Sequence, residues 1–134
     1  MVLLLATATV LWAQPAPTDT AINEAIRRQA KVKILQQKLI EAQDVEARKE
    51  LQAAAKLYED CVELVDSIGN RENIQSETAQ TIAGLGIVRL ELARNAQKRG
   101  DLREADTQVS RVLKVDPTNP VALDFKKAND KLLK

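Results

Sequence analysis

Apolar side chains recur along this chain at steps of three and four. Val32, Leu35, Leu39 and Ala42 form one such run, inside a breaker-free stretch from Thr20 to about Asp44, which predicts a helix with a single buried stripe. Leu51, Ala54, Tyr58, Cys61 and Val65 form a second run. Nine positions separate Ala42 from Leu51, and at about 100° per residue one continuous helix would aim the two stripes at opposite sides. A reversal near Arg48 and Lys49 lets the stripes meet, so the spacing predicts an antiparallel pair over 20–68.

The apolar period stops in "DSIGNRENIQS", where Gly69-Asn70 supplies a left-handed cap. A third helix is expected from Ser76 to Arg99, with Leu85, Val88, Leu92 and Ala96 as its main stripe. Gly84 and Gly86 lie inside it. Each costs up to about 1 kcal/mol relative to Ala in a helix, so they mark a place where another helix packs closely. Gly100 then provides a positive φ and Asp101 a cap for a fourth helix carrying Leu102, Ala105, Val109 and Val112. Pro117 stops that helix, which makes 76–116 a second hairpin. Pro120, allowed in a first turn, opens a last helix over 120–133 with Val121, Ala122, Phe125, Ala128 and Leu132 as its stripe. The fold class expected is all-α. The last helix either covers the end of the stack or begins another unit.

The chain opens differently. "MVLLLATATVLWAQPAPTDT" is apolar from Val2 to Ala13 and then turns to Pro and small polar residues. This run is shorter than the about 20 residues a spanning helix needs, yet fits the core of a signal peptide. Residues 1–13 are therefore expected to be a signal peptide, with Trp12 near the cleavage region, and 14–19 a flexible linker. The alternative is a cytosolic chain with an apolar, frayed end. No Lys or Arg precedes the run.

Composition narrows the chemistry. With 20 basic and 19 acidic residues among 134, no broad field draws nucleic acid or anionic lipid to the molecule. The densest basic cluster, "RRQAKVK", has Glu24 four residues before Arg28 and no interleaved aromatic to stack bases, so nucleic acid is not an expected partner. Histidine, the commonest general base and metal ligand, is absent. The neighbours Glu59 and Asp60 diverge by about 100° on a helix, and the spacing of Asp101, Asp106 and Asp116 matches no calcium loop. No catalytic residue, metal or cofactor is assigned. Cys61, alone and on an apolar stripe, is expected to be a packed thiol.

Leu92-Ala93, Gly100-Asp101, Ala105, Val112-Leu113 and Asp116-Pro117 together resemble the tetratricopeptide repeat, a unit of about 34 residues made of two antiparallel helices. Arg89, Ala96 and Val109 stand where the unit's large aromatics would be. Leu51, Ala54, Tyr58, Cys61 and Val62 fall in register with Leu102, Ala105, Val109, Val112 and Leu113, with Lys49 in place of the turn glycine. The resemblance implies hairpins stacked as a short solenoid. Most of the chain after Ala21, including "AIRRQAKVKILQQKL" and "ETAQTIAGLGIVRLELAR", also resembles the N-terminal helical region of secretin-like proteins, outer-membrane channels of type II and type III secretion. That second resemblance implies a periplasmic helical module docked to an outer-membrane complex; export is expected from the opening apolar run, and a homo-oligomer is among the expected forms. The function expected is non-catalytic protein binding on an inner face of the first helices, with Gln36, Gln43, Arg89 and Asn95 as candidate contacts. The alternative is a structural spacer that only self-associates.

Overall fold

The computed structural model describes residues 18–134. The expected signal peptide, Trp12 and most of the expected linker lie outside those residues. Five α-helices follow one another, α1 (Asp19–Ala47), α2 (Leu51–Ile68), α3 (Gln75–Lys98), α4 (Leu102–Val115) and α5 (Pro120–Leu133), with one 3-10 turn (Glu72–Ile74) ahead of α3. There is no strand among the described residues. The first helix begins earlier than expected, because Thr18 Oγ1 accepts from the Ala21 amide at 3.3 Å and satisfies one of the orphan donors of the first turn. Residues 18 and 19 thus belong to the cap and helix and not to a linker. No described helix is long and apolar enough to cross a membrane.

The chain reverses over 48–50, where the two stripes required it. Lys49 takes φ 63°, the left-handed conformation normally left to glycine. Its amide donates to the Glu46 carbonyl at 2.9 Å and the next amide, of Glu50, to the Val45 carbonyl at 3.2 Å. The turn between α3 and α4 repeats this wiring. Gly100 has φ 81°; its amide donates to Gln97 at 3.0 Å, and that of Asp101 to Ala96 at 2.9 Å. Asp101 then accepts from the Glu104 amide at 3.1 Å and starts α4. Asn119 does the same for α5, accepting from the Ala122 amide at 3.0 Å beside Pro120.

α1 and α2 pack along each other, α3 packs on both, α4 on α3, and α5 on α4 with a lighter contact to α3. Leu35, Leu39 and Ala42 of α1 meet Ala54, Tyr58, Cys61 and Val65 of α2, with Leu85 and Val88 of α3 closing the cluster. A second cluster joins Leu90, Val109, Val112 and Ala122, with Leu113 and Phe125 against it. Ala93, Ala96 and Ala105 are buried, while Leu51, Leu92 and Leu102 are half-buried. Pro117 is exposed between α4 and α5.

Tyr58 explains the first glycine of α3. Its ring lies on Gly84 so closely that a Cβ there would overlap the ring. At Gly86 the expectation of close packing is corrected: a Cβ there would meet Val112 and Asn119 only at ordinary van der Waals distance. The stripe expected on α5 is corrected: Val121, Ala128 and Leu132 are exposed, and the inward residues are Ala122, Phe125 and Asn129. Asn129 is buried with both polar atoms of its amide bonded. It donates to the Leu102 carbonyl at 2.9 Å and accepts from Gln97 at 3.2 Å, so a polar side chain takes a core position with its nitrogen and its oxygen each partnered.

Candidate functional site

Two side-chain bridges tie α1 to α3 on one face. Gln36 Nε2 donates to Glu77 Oε1 at 3.0 Å and Gln43 Nε2 donates to Gln80 Oε1 at 3.1 Å. Later residues of α1 meet later residues of α3, so the two helices run parallel there. Gln36, Ile40 and Gln43 follow the steps four and three, which keeps them on one side of the helix. Ile40, between the glutamines, is 68% exposed. Seven residues after Gln80, two turns on and in line with it, Ile87 is 59% exposed. Ile87 also lines a recess of about 490 Å³ with Ala83, Leu90 and Arg94 of α3 and Val121 of α5. Ile87 and Val121 thus share a recess between α3 and α5, and Ile40 stands apart on α1 between the bridging glutamines.

A second cleft, about 690 Å³, opens beside the first half of α1. Ala25, Val32 and Gln36 form one wall, and Ile68, Asn70 and Ile74 the other. α1 has 29 residues against 18 for α2, so at about 1.5 Å per residue it outruns its neighbour by roughly 16 Å. Every residue from Asp19 to Ala30 is exposed.

Of the four candidate contacts, Gln36 and Gln43 lie on the α1 and α3 face. Asn95 is half-buried on its flank, about 80° round α3 from Ile87. Arg89 is not on it. Two residues beyond Ile87, it points about 200° away, into the contact of α3 with α2 and α4, and its side chain is only 6% exposed. One guanidinium nitrogen donates to Gln108 Oε1 at 2.9 Å and another to Glu59 Oε1 at 3.1 Å. Gln108 in turn donates to Glu104 at 2.6 Å. Nε of Arg89 is buried without a partner. Burial lowers the Arg89 pKa from its ordinary value and the Glu59 carboxylate opposes that shift. The expectation of an exposed contact at Arg89 is therefore corrected: the side chain is drawn inside because Glu59 and Gln108 take up two of its donors.

Two other buried groups, Cys61 and Tyr58, are held in their neutral forms. Cys61 is fully buried, and burial raises its thiol from an ordinary 9.0 to about 11, the opposite of what a nucleophile requires. Tyr58 donates to Glu46 Oε2 at 2.6 Å. Burial, followed by that bond and the carboxylate's charge, pushes the phenol well above its usual range. Among the described residues, no three His, Cys, Asp or Glu side chains converge as metal ligands do.

No family model matches the chain, and no curated protein or solved structure is significantly similar to it. The function is therefore argued from this geometry.

What sequence reasoning missed on this face is Ile40, Ile87 and Val121. A signal existed for two of them. Ile40 and Ile87 lie off the main stripes of their helices, where an apolar side chain is left in water.

Proposed function

We propose that the protein is a non-catalytic interaction scaffold of the tetratricopeptide type, which holds a protein segment on the face shared by α1, α3 and α5. The repeat reading is supported by the two turns. Positions 45, 46, 49 and 50 carry the same pair of capping bonds as 96, 97, 100 and 101, a constant offset of 51 residues. The buried or half-buried state of Leu51, Ala54, Tyr58, Cys61 and Val62 also equals that of Leu102, Ala105, Val109, Val112 and Leu113. On this reading α1 and α3 are equivalent first helices, α2 and α4 equivalent second helices, and α5 either caps the stack or opens a third unit.

The binding role rests on one observation: Ile40 and Ile87 remain exposed on a face where the surface bridges between α1 and α3 are polar. Isolated exposed isoleucines are unremarkable, but Ile87 beside Val121 in a recess, with Ile40 exposed on the neighbouring helix, offers a surface suited to apolar anchors of a partner helix or strand, with Gln36, Gln43 and Arg94 for its polar groups. Export to a periplasm and association with a secretion channel belong to the same proposal and rest on the opening apolar run and the resemblance alone.

The test is selection of peptides from a displayed random library, followed by titration against Ile40→Asp/Ile87→Asp and against a control, Leu123→Asp, at an exposed site on α5. Loss of at least tenfold in affinity in the double variant, with unchanged helical circular dichroism and an unaffected control, is expected. Ligands that bind all three alike would remove this face from consideration.

A further inference from the structure

The free half of α1 carries a second stretch of surface, on the same side of the helix as Ile40 but N-terminal to the face above. Within about 60° of Ile26, counted at about 100° per residue, the helix presents Asp19, Ile22, Asn23, Ile26, Gln29, Ala30 and Lys33. All are exposed, Ile22 by 45% and Ile26 by 59%. Only two of these positions are charged, Asp19 at one end and Lys33 at the other. The order Asp19, Ile22, Ile26, Ala30, Lys33 reads with steps of three, four, four and three, so it is symmetric about Ile26 in position and antisymmetric in charge. The remaining charges of this half point elsewhere. Glu24 pairs with Arg27 and Arg28 at 3.6 Å each, and Arg28 lies about 200° from Ile26. Among the described residues Asp19 and Lys33 make no ion pair.

We infer that this seam docks on the same seam of a second copy, antiparallel, about a two-fold axis through Ile26. That axis sets Ile26 on Ile26, Ile22 on Ala30 and Asp19 on Lys33 of the other copy, each heterologous contact occurring twice, as an isologous interface requires. Parallel pairing would set Asp19 on Asp19 and Lys33 on Lys33, so charge selects the antiparallel form. The overhang of α1 beyond α2 leaves the second helix room to lie down. Ala30 facing Ile22 gives the small-against-large fit that lets helices approach. Asp19 and Lys33 are fourteen residues apart, so the seam is roughly 21 Å long and one helix wide. This falls short of the about 1,200 Å² that stable interfaces bury, and the pair is accordingly weak and concentration-dependent.

Sedimentation of the full chain from about 10 μM to 1 mM at low salt, the range suited to so small an interface, is expected to show monomer passing to dimer. Asp19→Lys and Lys33→Asp each turn two attractive contacts repulsive, and each is expected to weaken the dimer by roughly tenfold, from exposed-pair energies; the double variant regains it. Cysteine placed at 19 and 33 together gives a cross-linked dimer under mild oxidation, while cysteine at 19 alone or 33 alone does not, because like ends lie roughly 21 Å apart. A chain that stays monomeric to 1 mM overturns the inference. So does a dimer indifferent to the two charge reversals, as association through the apolar first residues or the α1 and α3 face would be. Cross-linking through position 19 alone overturns it too. None of these outcomes touches peptide binding at Ile40 and Ile87, whose variants lie outside the seam.

Discussion

Replacing Gly84 with Ala should reverse its sign of effect according to what occupies position 58. In a helix interior that change ordinarily gains about 1 kcal/mol. Here the new Cβ falls inside the Tyr58 ring. The ring is nearly fully buried and tethered through its hydroxyl to Glu46 at 2.6 Å, so it cannot swing aside without breaking that bond. Overpacking of this kind costs about 1–3 kcal/mol, and loss of a partly exposed bond to a carboxylate adds about 1 kcal/mol. Taking about 3 kcal/mol against the about 1 kcal/mol of propensity leaves a net loss of about 2 kcal/mol. The melting temperature should fall by about 8 °C, at about 4 °C per kcal/mol for a domain of this size. In a Tyr58→Val background the obstacle is gone, because the ring that meets the new Cβ is removed. Gly84→Ala should then stabilise by about 1 kcal/mol. Urea unfolding of the four proteins of this cycle measures a coupling near 3 kcal/mol. If Gly84→Ala raised stability equally with Tyr or Val at 58, the close approach of α2 to α3 at this point would be refuted.

Two further outcomes follow from the buried polar groups. Arg89→Ala should lower unfolding stability by about 2 kcal/mol, because Gln108 loses its donor and a half-buried Glu59 its counter-charge. Replacing the whole set, Arg89→Met with Glu59→Met and Gln108→Leu, should stay within about 1 kcal/mol of the parent; a loss in urea equal to that of Arg89→Ala would show that the charges themselves are needed. For Cys61 the thiol is raised from 9.0 to about 11 in the fold, so between those values the native state holds more protons than the unfolded chain, and stability declines as pH rises from about 9 through about 11. Tyr58, raised for the same first cause, adds a decline of the same sign above its ordinary 10.0. Cys61→Ala should flatten the first part of that slope. At pH 8 a water-soluble disulfide reagent should modify Cys61 only as fast as the chain opens; prompt modification of the folded protein would contradict its burial.

How far the residues alone reach is clearest at the turns. Asp101 and Asn119 are capping types in capping places, and Gly100 is the residue that tolerates a positive φ, so α4 and α5 start where local chemistry sets them. Lys49 had no such local signal. Its reversal was legible only because nine residues rotate one stripe away from the next, an argument about two helices at once. On α5 the apolar count misled, since Asn129 outcompetes Ala128 and Leu132 for the interior by finding both a carbonyl and a glutamine to bond.

Periodicity and caps are properties of a few adjacent residues, and so the number of helices, their approximate ends and most of their buried sides were fixed before any packing was known. Which polar groups go inside, which isoleucines stay out and how far α1 outruns its partner depend on the neighbours each helix meets. Those neighbours are remote in the chain: Arg89 is drawn in by Glu59 and Gln108, and Gly84 is required by Tyr58. Only the assembled helices bring such groups within bonding distance, and there the cost of burying a charge or leaving a methyl in water is decided.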